Sequence, residues 1–177
     1  MPSLQEKIKS IASSLLTVID ASSAEELNYK AIPETWSILE CVEHICLVNG
    51  NVGKLIQAPP PSSPPATENK PSELYSEGKL NHLLVNKREM KRVSPKFVEP
   101  KGIFKSAEEA KTVIGKETEQ LLHVLNTTDI ARQTHTIPHH ALGEMTKTDW
   151  IHFMIAHTQR HLLQIEDIKN KYRTTVG

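Results

Sequence analysis

The chain has 177 residues, 38% hydrophobic and 24% charged, and its 21 Lys plus Arg balance 21 Asp plus Glu, leaving no formal net charge at pH 7. This is the composition of an ordinary globular protein, and the length suits a single domain over residues 1–177. The charge balance argues against nucleic acid as a partner, because phosphate binding leaves a basic patch. No apolar run approaches the ~20 residues that span a bilayer, and none of signal-peptide type opens the chain. The expectation is therefore a cytoplasmic protein that does not bind membranes.

Helix signals recur along the chain. Ser3-x-x-Glu6 is a capping box, followed by Leu4, Ile8, Ile11, Leu15 and Val18 at helical spacing, which predicts an amphipathic helix ending near Asp20. Ser23-x-x-Glu26 opens a short helical turn that Ile32-Pro33 closes, since the residue before a proline is pushed out of the helical region. Ser37-x-x-Glu40 starts a second main helix with Cys41, Ile45, Val48, Val52 and Leu55 on its apolar face and Trp36 packed before the cap. Residues 59–71 hold six of the eleven prolines and read as a long exposed connection.

Leu80, Leu83, Leu84 and Met90 predict a third helix within residues 74–93, diluted by charge and interrupted by Gly78. Ser106-x-x-Glu109 caps a fourth, with Ala110, Val113, Ile114, Leu121 and Leu125 inward. Residues 127–146 contain Pro138 and Gly143 without helical period, a His-rich connection. The last helix begins near Thr146 or Thr148 and runs to about Tyr172. No alternating strand stands out, so the expected class is all-α, a bundle with long connections.

Nine histidines against three Phe, two Trp and three Tyr require explanation. On the last helix the core-facing positions are Trp150, Met154, His157, His161, Ile165 and Ile168, so two histidines one turn apart share the inner face. His44 is the other histidine beside a strong apolar stripe. Two buried imidazoles without partners would each carry a desolvation cost of roughly 1–3 kcal/mol, which a metal shared with His44 removes. Three histidine ligands leave coordination positions open, as in catalytic zinc sites, while nickel, iron, cobalt or manganese would add solvent ligands. Cys41 and Cys46, five residues apart on one helix, point about 140° apart and cannot bridge there. They read as buried thiols, Cys41 as core rather than as a thiolate ligand.

Trp36-Ser37-x-x-Glu40-x-x-x-His44, and Gly143-x-x-Thr146-x-x-x-Trp150 leading into His157-x-x-x-His161-x-x-Gln164, resemble the two signatures of the DinB/YfiT-like metalloprotein superfamily, which is unrelated to the polymerase of the same name. The resemblance runs from the first helix to Ile168. It implies a four-helix bundle of unusual connectivity with a divalent ion on His44, His157 and His161. The Pro-rich insertion after Gln57 and the run Pro138-His139-His140 depart from the commonest pattern.

Gln164, three residues beyond His161, is placed to hydrogen-bond a ligand or metal-bound water, with simple solvation the alternative. Glu40 lies one turn before His44 and could orient its ring, but the capping box explains it without a metal. His135, His139 and His140 could line the pocket mouth or shuttle protons, although surface loop histidines are the simpler reading. His82, His123 and His152 read as solvent-facing or interfacial. The metal, zinc or nickel first, would suit hydrolysis of a small-molecule substrate through activated water. Resemblance to bacterial low-molecular-weight thiol transferases implies thiol S-transfer as the alternative, and a non-catalytic, stress-related metal- or ligand-binding module is the third. A homodimer is compatible with such bundles, though no exposed stripe points to one.

Overall fold

The computed structural model describes residues 2–59, 73–87, 94–133 and 135–176. In chain order it runs α1 (Leu4–Asp20), α2 (Ala24–Asn28), α3 (Ile38–Gln57), α4 (Glu77–Asn81), α5 (Ala107–Thr127), β1 (Thr136–His139), β2 (Gly143–Thr146) and α6 (Lys147–Val176). The four long helices form the bundle. Both α1 and α3 pack against α5 and α6, so α1 and α3 occupy opposite corners.

Serine caps begin five of these helices: the hydroxyls of Ser3, Ser23, Ser37, Ser76 and Ser106 each accept the N–H three residues on. Each such cap stabilises its helix by about 1 kcal/mol. The reciprocal carboxylate bond is present at Glu6 and Glu40, whereas Glu109 turns one residue further back and accepts from the Lys105 N–H. In α1 the buried positions are Ile8, Ile11, Leu15 and Ile19, and in α3 Ile56 is buried while Leu55 is only partly so. The inner face follows the 3.6-residue period, which drifts from Val18 to Ile19 by the end of the helix.

The start of α6 carries a capping box of its own. Asp149 N–H donates to Thr146 Oγ1 at 3.2 Å, and Thr146 N–H donates to Asp149 Oδ2 at 2.8 Å. The fully buried Asp149 carboxylate also accepts the N–H groups of Leu74 and Tyr75 at 3.0 Å, so the chain returning from residues 60–72 is tied to the bundle. Beside it, Lys147 is buried and its ammonium donates to the Ile56 and Ala58 carbonyls at 2.8 and 2.6 Å, capping α3. Asp149→Ala is expected to cost roughly 2–4 kcal/mol in urea unfolding, since it removes a cap and leaves Thr146 N–H buried without an acceptor. A loss below about 1 kcal/mol would mean that this segment repairs its hydrogen bonds with water.

Two expectations need correction. Among the described residues the third helix starts later than residue 74 and is not regular: five residues of α4 pass into one π-helical turn, His82–Asn86, with Leu80 and Leu84 buried. Met90 and Val93 lie outside the described residues. The His-rich connection is also not wholly irregular, because β1 and β2 form an antiparallel hairpin that pairs Thr136 with Thr146 and His139 with Gly143. Gly143, with φ +78°, closes the three-residue turn where an L side chain would be strained. Four-residue strands, one of them containing Pro138, are too short for alternation to show in sequence.

The core divides into two apolar clusters, with Met154, Ile155 and Ala156 in one and Ile165 in the other. His157 and His161 occupy the stretch of α6 between them.

Candidate metal centre

His44 comes from the second turn of α3, and His157 and His161 from successive turns of α6, where the two helices pack together. All three are buried, with 2%, 8% and 7% exposure. Their Nε2 atoms converge: His157 Nε2 is 3.2 Å from that of His44 and 3.2 Å from that of His161. Two nitrogens bound tetrahedrally to one zinc at ~2.0–2.1 Å would lie about 3.3–3.4 Å apart. The spacing therefore fits a single ion.

Tautomers sharpen the fit. His44 Nδ1–H donates to the Val98 carbonyl at 2.7 Å, and His161 Nδ1–H donates to Gln164 Oε1 at 2.9 Å. A carbonyl can only accept, so each neutral ring presents an unprotonated Nε2 to the centre. Burial lowers the affinity of all three rings for a second proton: His44 is shifted down, His157 well down with the neighbouring His161 and His44 adding to the effect, and His161 falls to about 3. Only His157 has a proton to place between two facing lone pairs. A cation would satisfy all three nitrogens at once, and His44 and His161 already show the arrangement in which a metal ligand donates its other ring nitrogen to an outer partner. The Nδ1 of His157 has no hydrogen-bond partner among the described residues.

Aromatic rings close the surroundings. Trp36, placed just before the α3 cap, lies 4.9 Å from the His44 ring and stacks at 6.2 Å on His161. Phe153 stacks at 5.5 Å on His157. On its other side Phe153 meets His139 at 4.7 Å, which also contacts Trp150 at 5.1 Å and stacks on His140 at 4.4 Å.

His139 is thus not the surface loop histidine expected; it is buried, and its Nδ1 accepts the N–H groups of Ala141 and Leu142, folding over the hairpin turn. His152 is likewise buried, with Nδ1 3.3 Å from the Glu73 carboxylate, rather than solvent-facing. His140, His82 and His123 are exposed, and His135 is half-buried.

Of the two residues considered as supports, Gln164 joins the centre and Glu40 does not. Glu40 accepts from the Ser37 N–H at 2.9 Å and from Lys30 Nζ at 2.7 Å, so its oxygens serve the cap and a surface ion pair. Cys41 is fully buried and its thiol is pushed up to about 12, chiefly by burial, so it stays protonated and outside the three-histidine cluster. Cys46 is shifted upward for the same reason, and both cysteines are free. The Val98 carbonyl escaped the sequence reading because a backbone oxygen leaves no residue-type signature.

The sequence profile of the DinB superfamily matches residues 9–165. The uncharacterized protein YuaE of Bacillus subtilis (strain 168) is 29% identical over 150 residues, covering 84% of this chain and 86% of its own length. Among solved structures, TT2238, described as a four-helix bundle protein, superposes with a TM-score of 0.59 at 16% identity, over 93% of this chain and 96% of its own. At that identity the likeness speaks for the fold alone, while the profile spans most of the sequence. On the profile match, the chain belongs to the DinB superfamily.

Proposed function

We propose that His44, His157 and His161 hold one divalent cation, with zinc or nickel the first candidates, and that the centre serves metal-dependent hydrolysis of a small-molecule substrate. The observation that carries this reading is the pair of 3.2 Å Nε2 separations around His157, with the other two rings, His44 and His161, committing their Nδ1 protons outward. When bound, the ion would supply undiminished positive charge at open coordination positions, lowering the pKa of water there toward ~7 and polarising a carbonyl or similar group. Among the described residues no carboxylate joins the cluster, which leaves that charge unneutralised. Val98 and Gln164 orient two of the rings, while Trp36 and Phe153 limit the access of bulk water to them.

The deciding experiment is elemental analysis of untagged protein followed by turnover assays with and without an added low-molecular-weight thiol. About one equivalent of divalent metal and thiol-independent hydrolysis are expected. Turnover only with thiol would replace hydrolysis by S-transfer from a metal-held thiolate. Metal without turnover in either assay would leave a binding module. Gln164→Leu is expected to weaken metal binding roughly tenfold, within the ~10–100-fold range for outer partners of metal-bound histidine. Competition with a chromogenic chelator measures it, and unchanged affinity would remove Gln164 from the centre.

A further inference from the structure

Adjacent to His44 in α3, Glu43 is a carboxylate with 1% exposure. Its two oxygens accept from the backbone N–H groups of Lys101, at 2.6 Å, and Ile103, at 2.9 Å. Between these lies Gly102 with φ +67°, so the chain wraps the carboxylate in a conformation that favours glycine. Three residues before Lys101, the same segment presents the Val98 carbonyl to His44 Nδ1. Consecutive residues of one helix thus grip one loop at two points.

We infer that Glu43 is a positioning residue for the metal centre: by clamping residues 101–103 it holds the Val98 carbonyl where it fixes the tautomer and ring direction of His44. This rests on the metal reading for its consequence but not for its geometry. A histidine ring turns freely about its side-chain bonds, so the direction of the His44 and His161 Nε2 atoms depends on the outer partner that each ring's far nitrogen finds. Gln164, on the same helix as His161, needs no clamp. Val98 ends a single 3-10 turn, Lys96–Val98, within the connection to α5, and so short a segment keeps a carbonyl in place only while the chain around it is itself tied down.

Glu43→Gln tests this directly. The amide offers one acceptor where two N–H groups converge, and its NH2 opposes the other donor. The expected result is a loss of zinc affinity of about 10–100-fold, together with loss, in the metal-free protein, of the slowly exchanging His44 Nδ1–H signal in nitrogen-15 NMR, while the His161 Nδ1–H signal persists. A purely structural role would leave the folded variant with both properties unchanged, and that outcome would overturn the inference.

Should Glu43→Gln fail to fold, Gly102→Val decides. An added Cβ at Gly102 meets nothing within 4 Å, so this change acts chiefly through the left-handed backbone, where a β-branched residue is strained. The same two losses are expected to smaller extent, and their absence would overturn the clamp. If the parent binds no metal at all, the metal reading falls, and the His44 Nδ1–H signal still reports whether Glu43 sets the ring.

Discussion

His157→Ala is expected to abolish stoichiometric metal binding, with a larger effect than the same change at any outer partner. His157 supplies the nitrogen shared by both 3.2 Å contacts, so its loss leaves His44 and His161 on different helices without their common neighbour. Removing one ligand of three should weaken affinity well beyond the ~10–100-fold typical of an outer partner. Thermal unfolding gives an independent reading. A metal present at about 1,000 times its dissociation constant stabilises the folded chain by about 4 kcal/mol, or roughly 10 °C for a chain this long. The parent should show that rise with zinc or nickel, and the variant should show none. Retention of one equivalent of metal and of the thermal shift by His157→Ala would place the ion elsewhere.

Acid should destabilise the metal-free protein through the same three rings. His161 titrates near 3 when folded, against an ordinary 6.5, because burial opposes its charged form. Between those values the unfolded chain binds a proton that the folded chain does not, so stability is fully present above about pH 6.5 and falls as the pH drops toward 3. The slope for one such group is ~1.4 kcal/mol per pH unit. His157, shifted in the same direction, adds to it. Glu117 acts oppositely: burial raises its carboxyl to about 8 from 4.5, so its contribution is lost as pH rises across that interval.

Comparison with His161→Gln cancels the Glu117 contribution. The difference in unfolding free energy between parent and variant, measured in urea with a chelator present, should be constant above about pH 7. Below that it should shift against the parent by about 1.4 kcal/mol per unit as the pH falls. A difference independent of pH from 7 to 4 would show that His161 is not held neutral. The same depressed affinities imply that protons compete weakly with a metal at neutral pH, so loading should vary little between pH 6 and 8.

Much of the arrangement was legible in local pattern. Helix starts announced themselves through Ser-x-x-Glu, because a cap satisfies its N–H groups within four residues of chain. The i,i+4 step from His157 to His161 lay on the apolar period of α6, and helical geometry alone requires that these rings share a face. Gln164 was legible for the same reason. Periodicity also put His44 beside an apolar stripe as the candidate third ligand, and resemblance to a family implied the same role, but neither could aim its ring at α6.

What tertiary structure decided is whatever depends on partners distant in sequence or on backbone atoms common to every residue. Glu40 and Glu43 are both glutamates near His44; sequence singled out only Glu40, whose cap on Ser37 it could read, while packing paired Glu40 with Lys30 and sent Glu43 to residues 101–103. The hairpin that buries His139 against Phe153 and Trp150 likewise rests on strand pairing and contact with α6, which four-residue segments do not announce. Local sequence determined the helices, their caps and the shared face of two histidines, since those interactions close within one or two turns. The third ring's direction and the loop that holds it were decided by contacts spanning 54 to 113 residues, where only the folded chain brings donor to acceptor.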